Sequence, residues 1–200
     1  MLRRTFLSGS VAVWLTSELR AEASGARFAE AAQAQIGVTT GYDPSYTRIA
    51  YPGGDVPRTT GVCADVIVRA ARDGLSLDLQ KLVHEDMLHA FNEYPHIWRA
   101  QHPDPNIDHR RVPNLETYWR RAGARLWGAS AQVAGDAFPL PLRTGDLVTW
   151  MLNGALPHVA IVTASSRGQT QLVHNIGDGA RAVELSAFRP HLAKGHYRWP

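Results

Sequence analysis

Residues 60–70 have the sequence Thr-Gly-Val-Cys-Ala-Asp-Val-Ile-Val-Arg-Ala, in which apolar side chains recur at helical spacing. Thr60 is a common N-cap residue type, so we expect a helix over about residues 61–72. Cys63, the single cysteine of the chain, then falls in the first helical turn. Backbone N–H groups and the positive end of the helix dipole favour a thiolate there. The sequence therefore predicts a thiol pKa below the free value of about 8.5.

Two histidines lie in short β-like runs further along the chain. His158 belongs to Pro-His-Val-Ala-Ile-Val (157–162), and His174 to Leu-Val-His-Asn-Ile-Gly (172–177). An imidazole facing the thiol could take up its proton and return it to a leaving amine, a role that suits His158. The group that orients this imidazole is either His174 or Asn175, because adjacent strand residues face opposite ways and the spacing does not choose between them. The alternative is that Cys63 is simply a small buried side chain.

The composition is that of one globular domain. The chain has 200 residues, of which 44% are hydrophobic and 20% charged, with a net charge of +3. It has no basic run with interleaved aromatic residues, so we expect no nucleic-acid partner. His84 and His89 are five positions apart, about 140° round a helix, so they do not form the helical zinc motif. We expect neither a metal nor another cofactor.

Residues 1–23 are predicted to be an export signal peptide. They begin with Arg3-Arg4, continue with a brief apolar run at 11–15 and offer small residues for cleavage at Ala21 and Ala23. The twin-arginine and the general secretory routes both fit, and an amphipathic N-terminal helix is the alternative. The apolar run is much shorter than the ~20 residues that span a bilayer. We therefore expect no stable membrane span after removal of the signal.

The rest of the chain is predicted to place helices before strands. The helices are expected at about 26–36, 61–72, 76–92 and 114–127, and the strands near 146–151, 158–163, 171–176 and 196–199. Helices followed by an antiparallel sheet make an α+β domain.

Residues 94–113 are predicted to form a long loop that contains the pair Arg110 and Arg111. Neighbouring guanidinium groups can bind a carboxylate through bidentate hydrogen bonds, which makes both residues candidates for substrate binding. The alternative is an internal salt bridge to Asp104 or Asp108 that holds the loop in place.

A series of motifs resembles the NlpC-type cell-wall peptidases, which are papain-like enzymes that cut the peptides of peptidoglycan. In chain order these motifs are Tyr51-Pro-Gly-Gly, Gly-Val-Cys63-Ala-Asp-Val, Gly145-Asp-Leu-Val-Thr-Trp, His158-Val-Ala-Ile-Val and Val-His174-Asn. Over about residues 30–199 the chain also resembles the YijF-like family, exported bacterial proteins that carry a domain of unknown function. His-Glu-Asp-Met (84–87) and Ile-Asp-His-Arg-Arg-Val-Pro-Asn-Leu (107–115) carry this second resemblance.

The resemblance implies a papain-like (NlpC-type) fold for residues 24–200, in which the nucleophile helix packs on a C-terminal antiparallel sheet. Residues 75–140 would be a helical and loop insertion that rebuilds one wall of the cleft. The implied catalytic residues are Cys63 as nucleophile, His158 as base, His174 as the orienting group and Tyr51 near the oxyanion. Arg110, Arg111 and Asn175 are the candidate substrate-binding residues.

The predicted function is that of an exported cysteine hydrolase acting on an amide bond, with peptidoglycan or another peptide as the substrate. One alternative is a transferase on the same scaffold, which would pass the acyl group to an amine or hydroxyl. The other is a wall-binding module without catalytic activity, in which Cys63 only packs.

Overall fold

The structure, a computed structural model, describes residues 9–166 and 169–200. In this part of the chain, four helices are followed by a six-stranded sheet. The helices are α1 (Gly9–Gln33), α2 (Cys63–Leu75), α3 (Leu79–Ala90) and α4 (Val112–Arg121). The strands are β1 (Arg125–Gly128), β2 (Leu147–Leu152), β3 (Leu156–Ser166), β4 (Gln169–Asn175), β5 (Ala180–Glu184) and β6 (Leu192–Tyr197). The start of the predicted signal peptide, residues 1–8, lies outside the described residues.

The sheet has the strand order β1-β6-β2-β3-β4-β5, and every neighbouring pair is antiparallel. This arrangement confirms the α+β class. The helix that we predicted over residues 114–127 is wrong at its end, because Arg125–Gly128 form strand β1. Gly123 adopts a left-handed conformation with φ +76°, so helix α4 ends at Arg121 and the chain turns into the sheet edge. Strand β5 also lies where we predicted no strand.

The central strands of the sheet are buried on both faces, and strand alternation separates two apolar cores. Helices α1 and α2 cover the face that carries Val159, Ile161 and Val173. On the opposite face, Phe188 from the 3₁₀ turn Leu185–Phe188 packs against the sheet. The apolar sheet residues of this core are Val148, Trp150, Leu152, Ala160, Val162, Leu172 and Ala193. No helix in the described ranges has both the length and the apolar character required to cross a bilayer.

Helix α2 begins at Cys63 and has Val62 rather than Thr60 as its N-cap. The carboxylate of Asp65, in the first helical turn, accepts a hydrogen bond from the Val62 N–H at 2.6 Å. The Thr60 hydroxyl instead lies 3.4 Å from the Pro57 carbonyl oxygen. The predicted threonine cap is therefore wrong. The Asp65 carboxylate, inside the helix, accepts the hydrogen bond of the Val62 N–H, and the helix starts two residues later than expected.

Gly145, which precedes strand β2, approaches the backbone of helix α1. It has φ +90°, and a Cβ atom there would overlap the backbone of Gly25. Gly154 also has a positive φ, of +72°, but a Cβ atom at that position would meet no heavy atom within 4 Å. The two glycines therefore separate the cost of backbone strain from the cost of a steric clash.

We predict that Gly145→Ala destabilises the protein more than Gly154→Ala. Both variants incur left-handed strain of about 1–2 kcal/mol, and the clash with Gly25 should add about 1–3 kcal/mol to the first alone. Urea unfolding of the two variants measures the difference. Equal losses in the free energy of unfolding would contradict the close contact between Gly145 and helix α1.

Candidate active site

Cys63 lies at the point where the N-terminus of helix α2 meets the start of strand β3. The residue is 4% exposed, and the backbone N–H of Val159 hydrogen-bonds to its sulfur. Val159 directly follows His158 in the chain. The fold therefore brings Cys63 and His158 to the same end of the sheet, although they are far apart in sequence. The predicted contact between imidazole and thiol is not formed, because the His158 ring lies on the sheet face of Trp150 and Phe188, opposite helix α2.

The group that contacts the His158 ring is His174. Its Nδ1 atom lies 3.0 Å from Nε2 of His158, and both residues are 2% exposed. The alternative left open by the sequence, Asn175, is used elsewhere. The Asn175 amide donates to the carbonyl oxygens of Gly41 and Gly61 at 3.0 and 2.9 Å. Because these contacts hold neighbouring loops together, they oppose the predicted substrate-binding role of Asn175.

Aromatic side chains enclose the histidine pair on the sheet face opposite helix α2. Phe188 stacks on His158 at a centroid distance of 5.7 Å and meets His174 edge to face at 5.2 Å. The Trp150 ring stacks on the Phe188 ring at a centroid distance of 4.2 Å and thereby extends the aromatic cluster. Burial lowers the pKa of His158 well below its usual value, and the neighbouring His174 and His191 lower it further. Burial also lowers the pKa of His174 to about 4, with a contribution from Arg181, so both imidazoles are neutral at pH 7.

The pKa of Cys63 moves in the opposite direction from the one we predicted. Burial raises it to about 11, and the backbone N–H of Val159 offsets only part of that rise. The hydrogen bond of the His158 ring goes to His174, not to the sulfur. The site therefore holds a neutral thiol on one face of the sheet and a neutral imidazole pair on the other.

Tyr51 does not lie at the sulfur, contrary to the prediction. Its ring packs against His84 at 4.9 Å, and its hydroxyl pKa is raised by slight burial and by Glu85 and Asp78. Two other tyrosines, Tyr42 and Tyr46, line the groove at Cys63, and Tyr42 is the one whose hydroxyl pKa is influenced by Cys63. Burial raises the pKa of the Tyr42 hydroxyl, with further contributions from the neighbouring Cys63 and Asp65, so Tyr42 is a neutral hydrogen-bond donor at pH 7.

Arg110 forms a buried ion pair and is not available to bind substrate. Its Nε and Nη2 donate to the two carboxylate oxygens of Asp65 at 2.9 and 3.0 Å, and the two side chains are 2% and 4% exposed. Nη1 donates to Ser45 O and Nη2 also to Asp43 O. The predicted carboxylate-binding role of Arg110 is therefore wrong. The predicted alternative was correct in kind, but the partner is Asp65 rather than Asp104 or Asp108.

Cys63 opens into a groove with a volume of about 440 Å³, within the range of small-molecule sites. One wall is the loop around Tyr42, a second is the end of the long insertion, and a third is the start of strand β3. The lining is mainly apolar and aromatic and comprises Tyr42, Pro44, Tyr46, Val62, Cys63, Trp98, Ile107, Arg110, Arg111, Val112, Pro113, Leu156 and Pro157.

Residues 29–199 match the model of a family described as "Domain of unknown function (DUF1287)", and the chain belongs to this family. It is also similar to a curated relative from Escherichia coli (strain K12), described as "Uncharacterized protein YijF". The two sequences are 46% identical over 173 residues, which cover 86% of this chain and 80% of the relative. The predicted resemblance to the YijF-like family is thereby confirmed.

Sequence reasoning did not find Tyr42, Trp98 or Phe188 as parts of the site. Tyr42 and Trp98 are in loops without periodic pattern, and Phe188 is in the 3₁₀ turn Leu185–Phe188. The one available signal was at Tyr42, in the turn-rich Gly-Tyr-Asp-Pro run at 41–44. Nothing in the sequence separated this tyrosine from Tyr51.

We predict that the rate of Cys63 alkylation by iodoacetamide rises with pH above pH 9, because only the thiolate reacts and its folded-state pKa is about 11. Mass spectrometry of the intact protein measures the rate. Unfolded protein should instead follow the free-thiol pKa of about 8.5, and Cys63→Ala should not be labelled. A rate that is already maximal at pH 6–7 would show a preformed thiolate–imidazolium pair and contradict the neutral resting state.

We predict that Arg110→Ala lowers the free energy of unfolding by about 3–5 kcal/mol, because it leaves the Asp65 carboxylate buried without a partner. The matched control is Arg181→Ala, which breaks a surface pair with Asp178 and should change stability by less than about 1 kcal/mol. Urea denaturation compares the two variants. A stable Arg110→Ala protein with only a raised KM would restore the substrate-binding role.

Proposed function

We propose that this chain is an exported cysteine hydrolase that cleaves an amide bond, with the peptides of peptidoglycan as its substrate. The observation that carries the proposal is that Cys63, at a helix N-terminus beside an open groove, accepts a hydrogen bond from the N–H of Val159, the residue next to His158 of the buried His158–His174 pair. The α+β architecture and the chain order of the motifs support membership of the NlpC-type papain-like superfamily. No cofactor is needed for this chemistry.

The neutral resting state makes proton transfer part of the catalytic step. In the productive tautomer, His158 Nε2–H donates to His174 Nδ1, which leaves the lone pair of His158 Nδ1 free to accept the thiol proton. The ring of His158 is on the sheet face of Trp150, while helix α2 covers the face of Val159. Catalysis therefore requires the ring and the sulfur to approach each other around the start of strand β3 when substrate fills the groove.

The reaction then proceeds through an acyl-enzyme. His158 removes the proton as the Cys63 sulfur attacks the carbonyl carbon, and the electron pair of the C=O bond moves to oxygen. The Cys63 backbone N–H, at the helix N-terminus, stabilises this oxyanion, and Tyr42 takes the role expected of Tyr51. Collapse breaks the C–N bond while His158 protonates the leaving amine. Water, deprotonated by His158, then releases the acid and restores the thiol.

The export proposal depends on residues 1–23. Helix α1 begins at Gly9 and passes without a break through the region of Ala21 and Ala23. The part of the helix that packs on the domain includes Gly25, which contacts Gly145, and Phe28, which is fully buried in the helix-side core. Cleavage near Ala23 would therefore leave the packed part of α1 intact.

The burial of Cys63 and its raised pKa also suit the second candidate, a wall-binding module in which the thiol only packs. This candidate predicts binding to peptidoglycan fragments without any turnover. The transferase predicts the same acyl-enzyme as the hydrolase but a product that carries an added amine. Product analysis therefore distinguishes all three functions.

We predict that Cys63→Ala abolishes hydrolysis of purified muropeptides, with a loss of at least about 1000-fold in kcat, because the nucleophile is absent. His158→Gln should show a comparable loss, and the double variant no more than the singles, since the two residues act as one unit. Chromatography of the products measures the rates. Both single variants should remain folded.

Identical product profiles for wild type and Cys63→Ala would exclude cysteine catalysis on this substrate. Wild-type reactions supplemented with an amine acceptor test for the transferase product. Muropeptide binding by the wild type with no new product in any reaction would favour the wall-binding module.

A further inference from the structure

One charged side chain of the groove at Cys63 has N–H donors left for a ligand. Arg110 and Arg111 are the charged residues of the lining, and no carboxylate is among the described lining residues. The Arg110 charge is neutralised by its bidentate, fully buried pair with Asp65. Arg111 pairs with Asp108 through Nη1 alone, so it is the charged lining side chain that keeps N–H donors for a ligand.

Neighbouring groups hold Arg111 in place. Its guanidinium lies 4.2 Å above the centre of the Trp98 ring, and Nη1 donates to Asp108 Oδ1 at 3.1 Å. Asp108 is buried, and its carboxylate also accepts a hydrogen bond from the Asp104 N–H. The Arg111 side chain remains 21% exposed, and the contact with Asp108 occupies only Nη1. Its Nε and Nη2 edge is available to a ligand.

We propose that Arg111, held by Trp98 and Asp108, binds the carboxylate of a peptide acid whose cleavable amide lies at Cys63. This inference deepens the proposed function and rests on it. A planar guanidinium presents parallel N–H donors that match a carboxylate, and stacking on an aromatic ring keeps that plane fixed. The surrounding apolar and aromatic lining suits short uncharged side chains between the carboxylate and the cleavable bond.

The substrate class is therefore a short peptide with a free carboxylate, rather than an internal segment of a long chain. The basis of this choice is that a carboxylate makes charge-assisted hydrogen bonds to the free Nε and Nη2 edge of Arg111, whereas an internal segment offers only neutral carbonyl groups. An amidated peptide would leave the Nε and Nη2 edge of the guanidinium partly desolvated and without an anionic partner, while Nη1 stays bound to Asp108. The enzyme would then act on peptide ends and discriminate against the corresponding amides.

Binding to a catalytically inert protein tests this inference separately from turnover. The probes are acetyl-Ala-Ala-Ala and its C-terminal amide, titrated calorimetrically into the Cys63→Ala protein. We expect the acid to bind about tenfold more tightly than the amide, as for one charge-assisted pair. Adding Arg111→Gln should remove this preference, and Arg111→Lys should leave an intermediate one.

The matched control is Arg120→Gln in the same background. Arg120 is also on the protein surface, pairs with Glu93 at 3.5 Å and does not line the Cys63 groove. It should leave the acid preference unchanged. Equal affinities for acid and amide, no binding of either at millimolar concentration, or a preference that survives Arg111→Gln would each overturn the inference. An acid preference in an otherwise wild-type protein that hydrolyses nothing would instead refute the proposed function alone.

Discussion

The buried ion pair between Asp65 and Arg110 is the interaction on which the rest of the site depends. Asp65 caps helix α2 two residues after Cys63, so the same carboxylate fixes the helix start and holds Arg110. Arg110 in turn donates to the carbonyl oxygens of Asp43 and Ser45, which belong to the loop that carries Tyr42. One desolvated pair thus joins the nucleophile helix, the insertion and the opposite wall of the groove. Removing either partner would leave the other charge buried and unpaired, so the loss of one side chain would destabilise all three segments together.

The local parts of the site could be predicted from the sequence, because their causes are local. The apolar period placed Cys63 in the first turn of a helix, and the β-like runs placed His158 and His174 on strands. What failed was the assignment of partners across long separations. Arg110 and Asp65 are 45 residues apart, and Asn175 and Gly41 are 134 apart. A motif does not reveal which of several acids or carbonyl groups the fold will bring to a given donor.

The direction of the Cys63 pKa was mispredicted for a related reason. Backbone N–H groups at a helix N-terminus are visible in the sequence, and they act in the expected sense in the structure. Burial is a property of the whole fold, and it is the largest influence on the thiol and on both imidazoles. Because burial disfavours every charged form, it raises the pKa of the acid and lowers the pKa of the bases together. The helix position alone could not predict which effect dominates.

In the proposed enzyme, Cys63 and His158 are both neutral at rest, so the reactivity of the thiol is controlled differently from that in a preformed thiolate–imidazolium pair. The thiolate is the form that oxidants attack, so a protonated Cys63 is protected in an oxidising compartment, where the chain offers it no disulfide partner. Reactivity would then have to be generated by substrate, whose entry into the groove brings His158 and the sulfur together and excludes water. Binding energy from Arg111 and the aromatic lining would drive that approach. The features that make the free thiol inert would in this way also make catalysis selective, because a ligand that does not fill the groove leaves the proton on sulfur.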